Sequence, residues 1–288
     1  MERSDRLNVV LFALTGFGNT VLAALLKDVR VKVGAVFTVR HDDAFPYYDE
    51  RQLVDLSEER DIVCYSGVRV SSEEGIQLLR KHSPDLIIVA TFKQILKENV
   101  LNLPPLGVVN FHPSLLPRYR GPCPTNAVLY NDEKVTGMTI HYITENIDEG
   151  NIVLQRSIAI SETDNDGRLR RKLAKLAGEL VPELIDMFAG FTPPAGSPQD
   201  HSLASYAPKP TPEDGYLERA VAIHTIRKMM RAFNPIPGTS LLVGDKRVNV
   251  DGFELIQDKR PPGLYESNHA IDLSFESQVI RLNKKLAG

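Results

Sequence analysis

The chain has 288 residues, 42% of them apolar and 25% charged, with a formal net charge of -3. That is enough apolar material for a sizeable core, in one large domain or two smaller ones, and the charge gives no reason to expect a nucleic-acid coat or an anionic membrane. The two cysteines, Cys64 and Cys123, lie outside any CxxC or Cys/His spacing, which argues against a disulfide framework or zinc site, so no metal is expected.

The N-terminal "VVLFAL" is too short for a membrane span and reads as a first strand. No other stretch approaches membrane-spanning length, and the expectation is a cytoplasmic protein with reduced thiols and no membrane partner. From the N-terminus onward, short apolar runs alternate with helical patterns. Residues 8–14 read as a buried strand. Residues 19–28 read as a helix with Val21, Leu22, Leu25 and Leu26 on one face, and 31–39 as a second strand. Residues 49–61 are helical in pattern, and "SSEEGIQLLRKH" opens at Ser71 or Ser72, with acidic residues following as at a helix N-terminus. "DLIIVAT" (85–91) and "LGVVNFH" (106–112) are further apolar strands. The alternation predicts an α/β fold: a Rossmann-like, mostly parallel sheet with helices on both faces. Residues 135–143 and 151–160 extend that sheet, and 166–190 form a long amphipathic helix.

"FTPPAGSPQDHSLASYAPKPTPEDG" then breaks the pattern, and its Pro, Ser and Gly content reads as a linker. Beyond it come a helix at 216–233 and a hairpin around Gly244-Asp245. The expected organisation is a catalytic domain over 1–190, a linker over 191–215, and a small, mostly β C-terminal domain over 216–288.

In a parallel α/β sheet, sites form at the carboxyl ends of strands. Four features fall there. Gly16, Phe17 and Gly18 in "TGFGN" follow the first strand and open a helix, so their backbone could meet an anion; a tight turn would need glycine anyway. "ATFKQIL" offers Phe92, Ile95 and Leu96 as pocket walls, although spacing alone favours a helix start facing the core. Asn110 and His112 stand at i and i+2, on one side of a strand. An amide and an imidazole side by side suit a developing oxyanion and a moving proton. Asp148, in the turn "ENIDEG", could orient that imidazole or could be turn chemistry alone. With no Ser or Cys nucleophile in motif context, these residues fit acyl or formyl transfer, or hydrolysis.

The ordered pair "NFHPSLLPRYRG" and, after "GMTIHYI", "IDEG" resembles the folate-dependent formyltransferase family. The resemblance covers residues 6–190 closely and 216–288 more loosely. It implies 10-formyltetrahydrofolate as co-substrate and a primary amine as acceptor, with Asn110, His112 and Asp148 as the catalytic trio. It further implies that Phe92, Ile95, Leu96, Tyr142, Ile143 and Asp148 line the folate site. Gly16, Phe17, Gly18, Ser114, Arg118 and Tyr119 would lie on the acceptor side, and assembly as a homodimer is allowed.

Two departures bear on the acceptor. The stretch "RHDDAFPYYDERQ" is acidic and aromatic where the methionyl-tRNA enzymes carry a basic insertion, and residues 209–288 hold 12 Lys and Arg against 10 Asp and Glu. "GPCPTNAVLYNDEKVTGMTIH" leans towards the sugar-nucleotide enzymes. The expected order is therefore an amino-sugar nucleotide or other small amine first and methionyl-tRNA second. Hydrolysis of formyl-folate, or folate binding without turnover, comes after both.

Overall fold

The computed structural model describes residues 6–41, 51–218, 222–258, 260–275 and 278–285. β1 (Leu7–Ala13), α1 (Phe17–Lys27), β2 (Val31–Thr38), α2 (Leu53–Glu59), β3 (Cys64–Ser66), α3 (Glu73–His82), β4 (Leu86–Ala90), α4 (Glu98–Leu101) and β5 (Val108–His112) alternate as the apolar pattern requires. α5 (Pro124–Tyr130), β6 (Val135–Tyr142), β7 (Ile152–Ala159) and α6 (Asp166–Phe188) follow. The seven strands form one sheet in the order β3-β2-β1-β4-β5-β6-β7. Pairing is parallel from β3 through β5 and antiparallel at β5–β6 and β6–β7. The parallel strands are nearly continuous hydrophobic runs because helices cover both faces; every residue of β4 is buried.

On one face the core gathers Val10, Phe12, Phe37, Ile87 and Val89, with Phe12 edge-on to Phe37 and stacked on Phe92, ring centroids 5.2 Å apart in each case. α1 buries Phe17, Val21, Leu22 and Leu25, while Leu26, expected on the same face, is 39% exposed at its margin. α3 starts at Ser72, whose hydroxyl accepts the Gly75 N–H at 3.1 Å. Ser72→Ala should therefore cost about 1 kcal/mol in chemical denaturation.

The described residues fall into two compact units. The first comprises 1–121, 135–159 and 170–206; the second comprises 122–134, 160–169 and 207–288. The chain thus enters and leaves each unit more than once. In the first unit, Ser197 exchanges two backbone hydrogen bonds of 2.8 Å with Ile152, so part of the Pro-rich stretch is tied to β7. In the second unit, α7 (Ile223–Phe233) precedes β8 (Thr239–Val243), β9 (Lys246–Ile256), β10 (Gly263–Glu266), β11 (Ala270–Ser274) and β12 (Val279–Lys284). These strands form a separate antiparallel sheet in the order β10-β11-β12-β9-β8. Val243 pairs with Lys246, so Gly244-Asp245 is the two-residue turn of the expected hairpin, with Gly244 at φ 60°. No helix among the described residues is long and apolar enough to cross a membrane.

Candidate active site

β5 ends with Asn110 half-buried and His112 buried, and β6 runs antiparallel beside it, setting His141 directly opposite Asn110. The Asn110 amide Nδ2 lies 3.2 Å from His141 Nε2. His112 and His141 stand edge to face, ring centroids 6.2 Å apart. Asp148 closes the group: its Oδ2 is 3.5 Å from His112 Nδ1 and its Oδ1 is 3.4 Å from His141 Nε2. The structure thus brings Asn110, His112 and Asp148 together and adds a second imidazole between them.

The carbonyls fix the protons. His112 Nε2 is 2.8 Å from the Tyr119 carbonyl, which can only accept, so Nε2 carries hydrogen. By the same rule His141 Nδ1 donates to the Tyr142 carbonyl at 2.8 Å. His141 Nε2, when neutral, accepts from Asn110; when protonated, it donates to Asp148.

Burial pushes the His112 imidazole below its ordinary range, against the pull of the Asp148 charge and with a further push from His141. Neutral imidazole is therefore the resting state at pH 7. Burial alone would raise Asp148, but the His141 ring, the charge of His112 and the Gly121 N–H at 2.7 Å outweigh it and bring the carboxyl to about 2. A carboxylate with a depressed pKa contributes stability above its unfolded pKa and loses it as pH falls through the folded one. The stability that rests on the Asp148 charge is therefore lost as pH falls from about 4 to about 2. In acid titrations of stability, Asp148→Asn should flatten the curve over that interval.

The "PRYRG" loop braces this group. Tyr119, at φ 63°, turns its carbonyl to His112, and Gly121, at φ 99°, turns its N–H to Asp148. Ser114 is fully buried, its hydroxyl donating to the Arg118 carbonyl at 2.8 Å, so it shapes the loop rather than facing a cleft. Tyr119 is also buried, whereas Arg118 is exposed, its guanidinium 5.1 Å above the Tyr119 ring.

The remaining expected residues separate by exposure. Leu96 belongs to the core and Ile95 is 79% exposed. Phe92 and Ile143 pack partly buried against the same core. The Tyr142 hydroxyl donates to the Pro194 carbonyl at 2.8 Å, and burial lifts its pKa to about 12. Phe17 is buried, and Gly18 is a glycine because a Cβ there would lie 2.6 Å from Leu53 Cδ2 and 2.7 Å from Ala13 Cβ. Residues 42–50 of the acidic, aromatic stretch lie outside the described residues.

In the sequence His141 stands out only as part of "GMTIH", Arg120 only as one of the two arginines of "PRYRG", and Gln199 by no signal. The period of a strand does not reveal His141, because its place opposite Asn110 depends on the register between β5 and β6.

Residues 9–185 match the formyl transferase family. The methionyl-tRNA formyltransferase of Kosmotoga olearia is 37% identical over 233 residues, covering 80% of this chain and 73% of that protein. That of Syntrophus aciditrophicus is 41% identical over 175 residues, covering 61% of this chain and 56% of its own length. Among solved structures, an N-formyltransferase from Helicobacter canadensis, in complex with folinic acid and dTDP-3-aminofucose, superposes with a TM-score of 0.71 at 18% identity over 97% of this chain and 100% of that one; this likeness is one of fold. The chain belongs to the formyl transferase family. It is an enzyme of folate-dependent formyl transfer, with formyl-tetrahydrofolate as its one-carbon donor.

Proposed function

We propose that the enzyme moves the formyl group of 10-formyltetrahydrofolate onto the amino group of methionyl-tRNA. One observation carries the choice of acceptor. Sequence likeness at 37% identity over 233 residues, 80% of the chain, is to the Kosmotoga methionyl-tRNA enzyme, whereas the N-formyltransferase in complex with dTDP-3-aminofucose matches in fold at only 18% identity. The methionyl-tRNA relatives favour the second of the two acceptors expected from the sequence.

In the proposed mechanism the acceptor nitrogen bonds to the formyl carbon, and the carbonyl oxygen becomes an oxyanion. Asn110 gives one amide hydrogen to His141 and directs the other at that oxygen. The neutral His112 takes the proton leaving the amine on Nδ1, where the charged Asp148 holds the resulting imidazolium. The oxyanion re-forms the carbonyl as the carbon–nitrogen bond to the folate breaks, and the folate nitrogen takes the proton from the His112 imidazolium, which returns to neutral. Phe92, Ile95, Tyr142 and Ile143 are assigned to the donor side and Arg118 to the acceptor side.

A small nucleotide-linked amino sugar is the second reading, favoured by the charge pairing in the C-terminal sheet. Arg281 is bound to Asp272 at 2.8 Å, Arg260 to Asp272 at 3.1 Å, and Lys284 to Glu266 at 2.6 Å. Cations so engaged are less available to phosphates. A formyl-transfer assay against methionyl-tRNA and a panel of nucleotide-linked amino sugars decides. Transfer to methionyl-tRNA that weakens steeply with salt supports the proposal; turnover on amino sugars alone overturns it.

A further inference from the structure

Asp148 occupies a left-handed turn position, φ 56°, a region that Asp enters more readily than most non-glycine residues. A buried network contacts the turn on both sides of it.

Gln199 lies in the Pro-rich stretch read from the sequence as a linker, yet it is only 6% exposed. Its amide Nε2 donates to the carbonyls of Asp148 and Gly150, both at 2.8 Å, gripping the turn on either side of Glu149. Its Oε1 is held in turn by Arg120, through Nε at 3.2 Å and Nη2 at 2.8 Å. Arg120 is 1% exposed, and its Nη1 pairs with Glu149 Oε1 at 2.8 Å. Its Nη2 also lies 3.4 Å from His201 Nδ1. The Arg120 backbone N–H donates to the Ser205 carbonyl at 2.8 Å, and the next N–H, that of Gly121, donates to the Asp148 carboxylate.

A guanidinium suits this work because its planar fork fixes two directions at once, and a buried charge needs such complete pairing. Every polar atom of the Gln199 amide is spent on the loop or on the residue that braces it.

We infer that Arg120 and Gln199 act together as positioning residues, a clamp that sets the Asp148 carboxylate against His112 and His141. The segment around Gln199 is thereby a working part of the site. The inference rests on the formyl-transfer role given to Asp148, and its test separates the two.

The test compares Gln199→Leu, which keeps the side-chain bulk and removes both donors, and Arg120→Lys with wild type, using Asp148→Asn as reference. The titration of His112 is followed by NMR of its ring signals in the full-length protein, beside kcat and the KM for 10-formyltetrahydrofolate. Removing the Asp148 charge lowers the titration point of His112, since that charge favours the imidazolium. Gln199→Leu should move the point in the same direction, part of the way, and lower kcat by ~10- to 100-fold with KM unchanged. Arg120→Lys, which keeps the charge but loses the two-pronged grip on Oε1, should do the same to a lesser degree. It carries the test if Gln199→Leu does not fold. A His112 titration unchanged from wild type in these variants overturns the clamp. Full activity in Asp148→Asn overturns instead the catalytic reading, while the titration still decides the clamp.

Discussion

Asp148→Asn lowers kcat by ~10²- to 10⁴-fold and leaves the affinity for formyl-tetrahydrofolate unchanged, as measured by steady-state kinetics beside equilibrium binding of the folate. The size follows from what the carboxylate faces. It is charged at any working pH, with both oxygens turned to imidazoles, and its absence removes the charge that stabilises a proton on His112. His112→Gln should be of comparable size, because the glutamine cannot accept the proton.

The pH profile supplies the sign. Burial holds the His112 pKa below its ordinary 6.5, so the neutral base predominates at pH 7 and the acid limb of kcat lies below that value. Without the Asp148 charge the imidazolium is less favoured still, and the limb in Asp148→Asn moves to lower pH. Wild-type turnover in Asp148→Asn, or a limb that moves to higher pH, would remove Asp148 from the mechanism.

Gly150→Ala has the next largest effect. A Cβ at this position would run into the Tyr142 carbonyl oxygen and sit 2.8 Å from the Tyr142 carbonyl carbon, with Thr144 Cγ2 a further 3.3 Å contact. The nearest obstacles are backbone, so no side-chain rotation relieves them. The turn that carries Asp148 must move instead, and with it the Gly150 carbonyl that Gln199 holds. We expect a stability loss of ~1–3 kcal/mol from overpacking and a fall in kcat of about 10²-fold from the displaced carboxylate. Thermal melting and kinetics read the two effects separately. An alanine variant as stable and active as wild type would mean that the loop tolerates displacement and that Asp148 need not be held.

The glycine in "IDEG" shows how far local pattern reaches. Turn chemistry explains a glycine near that point, but the demand at Gly150 comes from Tyr142, which reaches it only because β6 leads into the turn. Gly18 is similar: the sequence offers a phosphate-binding reading or a tight turn, and the packed structure gives the contact with Leu53 and Ala13 that excludes a side chain.

By itself the sequence determined the parallel half of the sheet, because uninterrupted apolar strands alternating with helices have few other ways to bury both faces. It also determined the Gly244-Asp245 hairpin, through turn residues, and the shared side of Asn110 and His112, through the two-residue period of a strand. Only the tertiary structure decided what stands behind those two residues. His141 comes from the neighbouring strand, Arg120 from an irregular loop, and Gln199 from a stretch whose Pro and Ser content resembles a linker. Their roles depend on hydrogen bonds between segments far apart in the chain, such as the 79 residues between Arg120 and Gln199, and such bonds leave no periodicity along the chain.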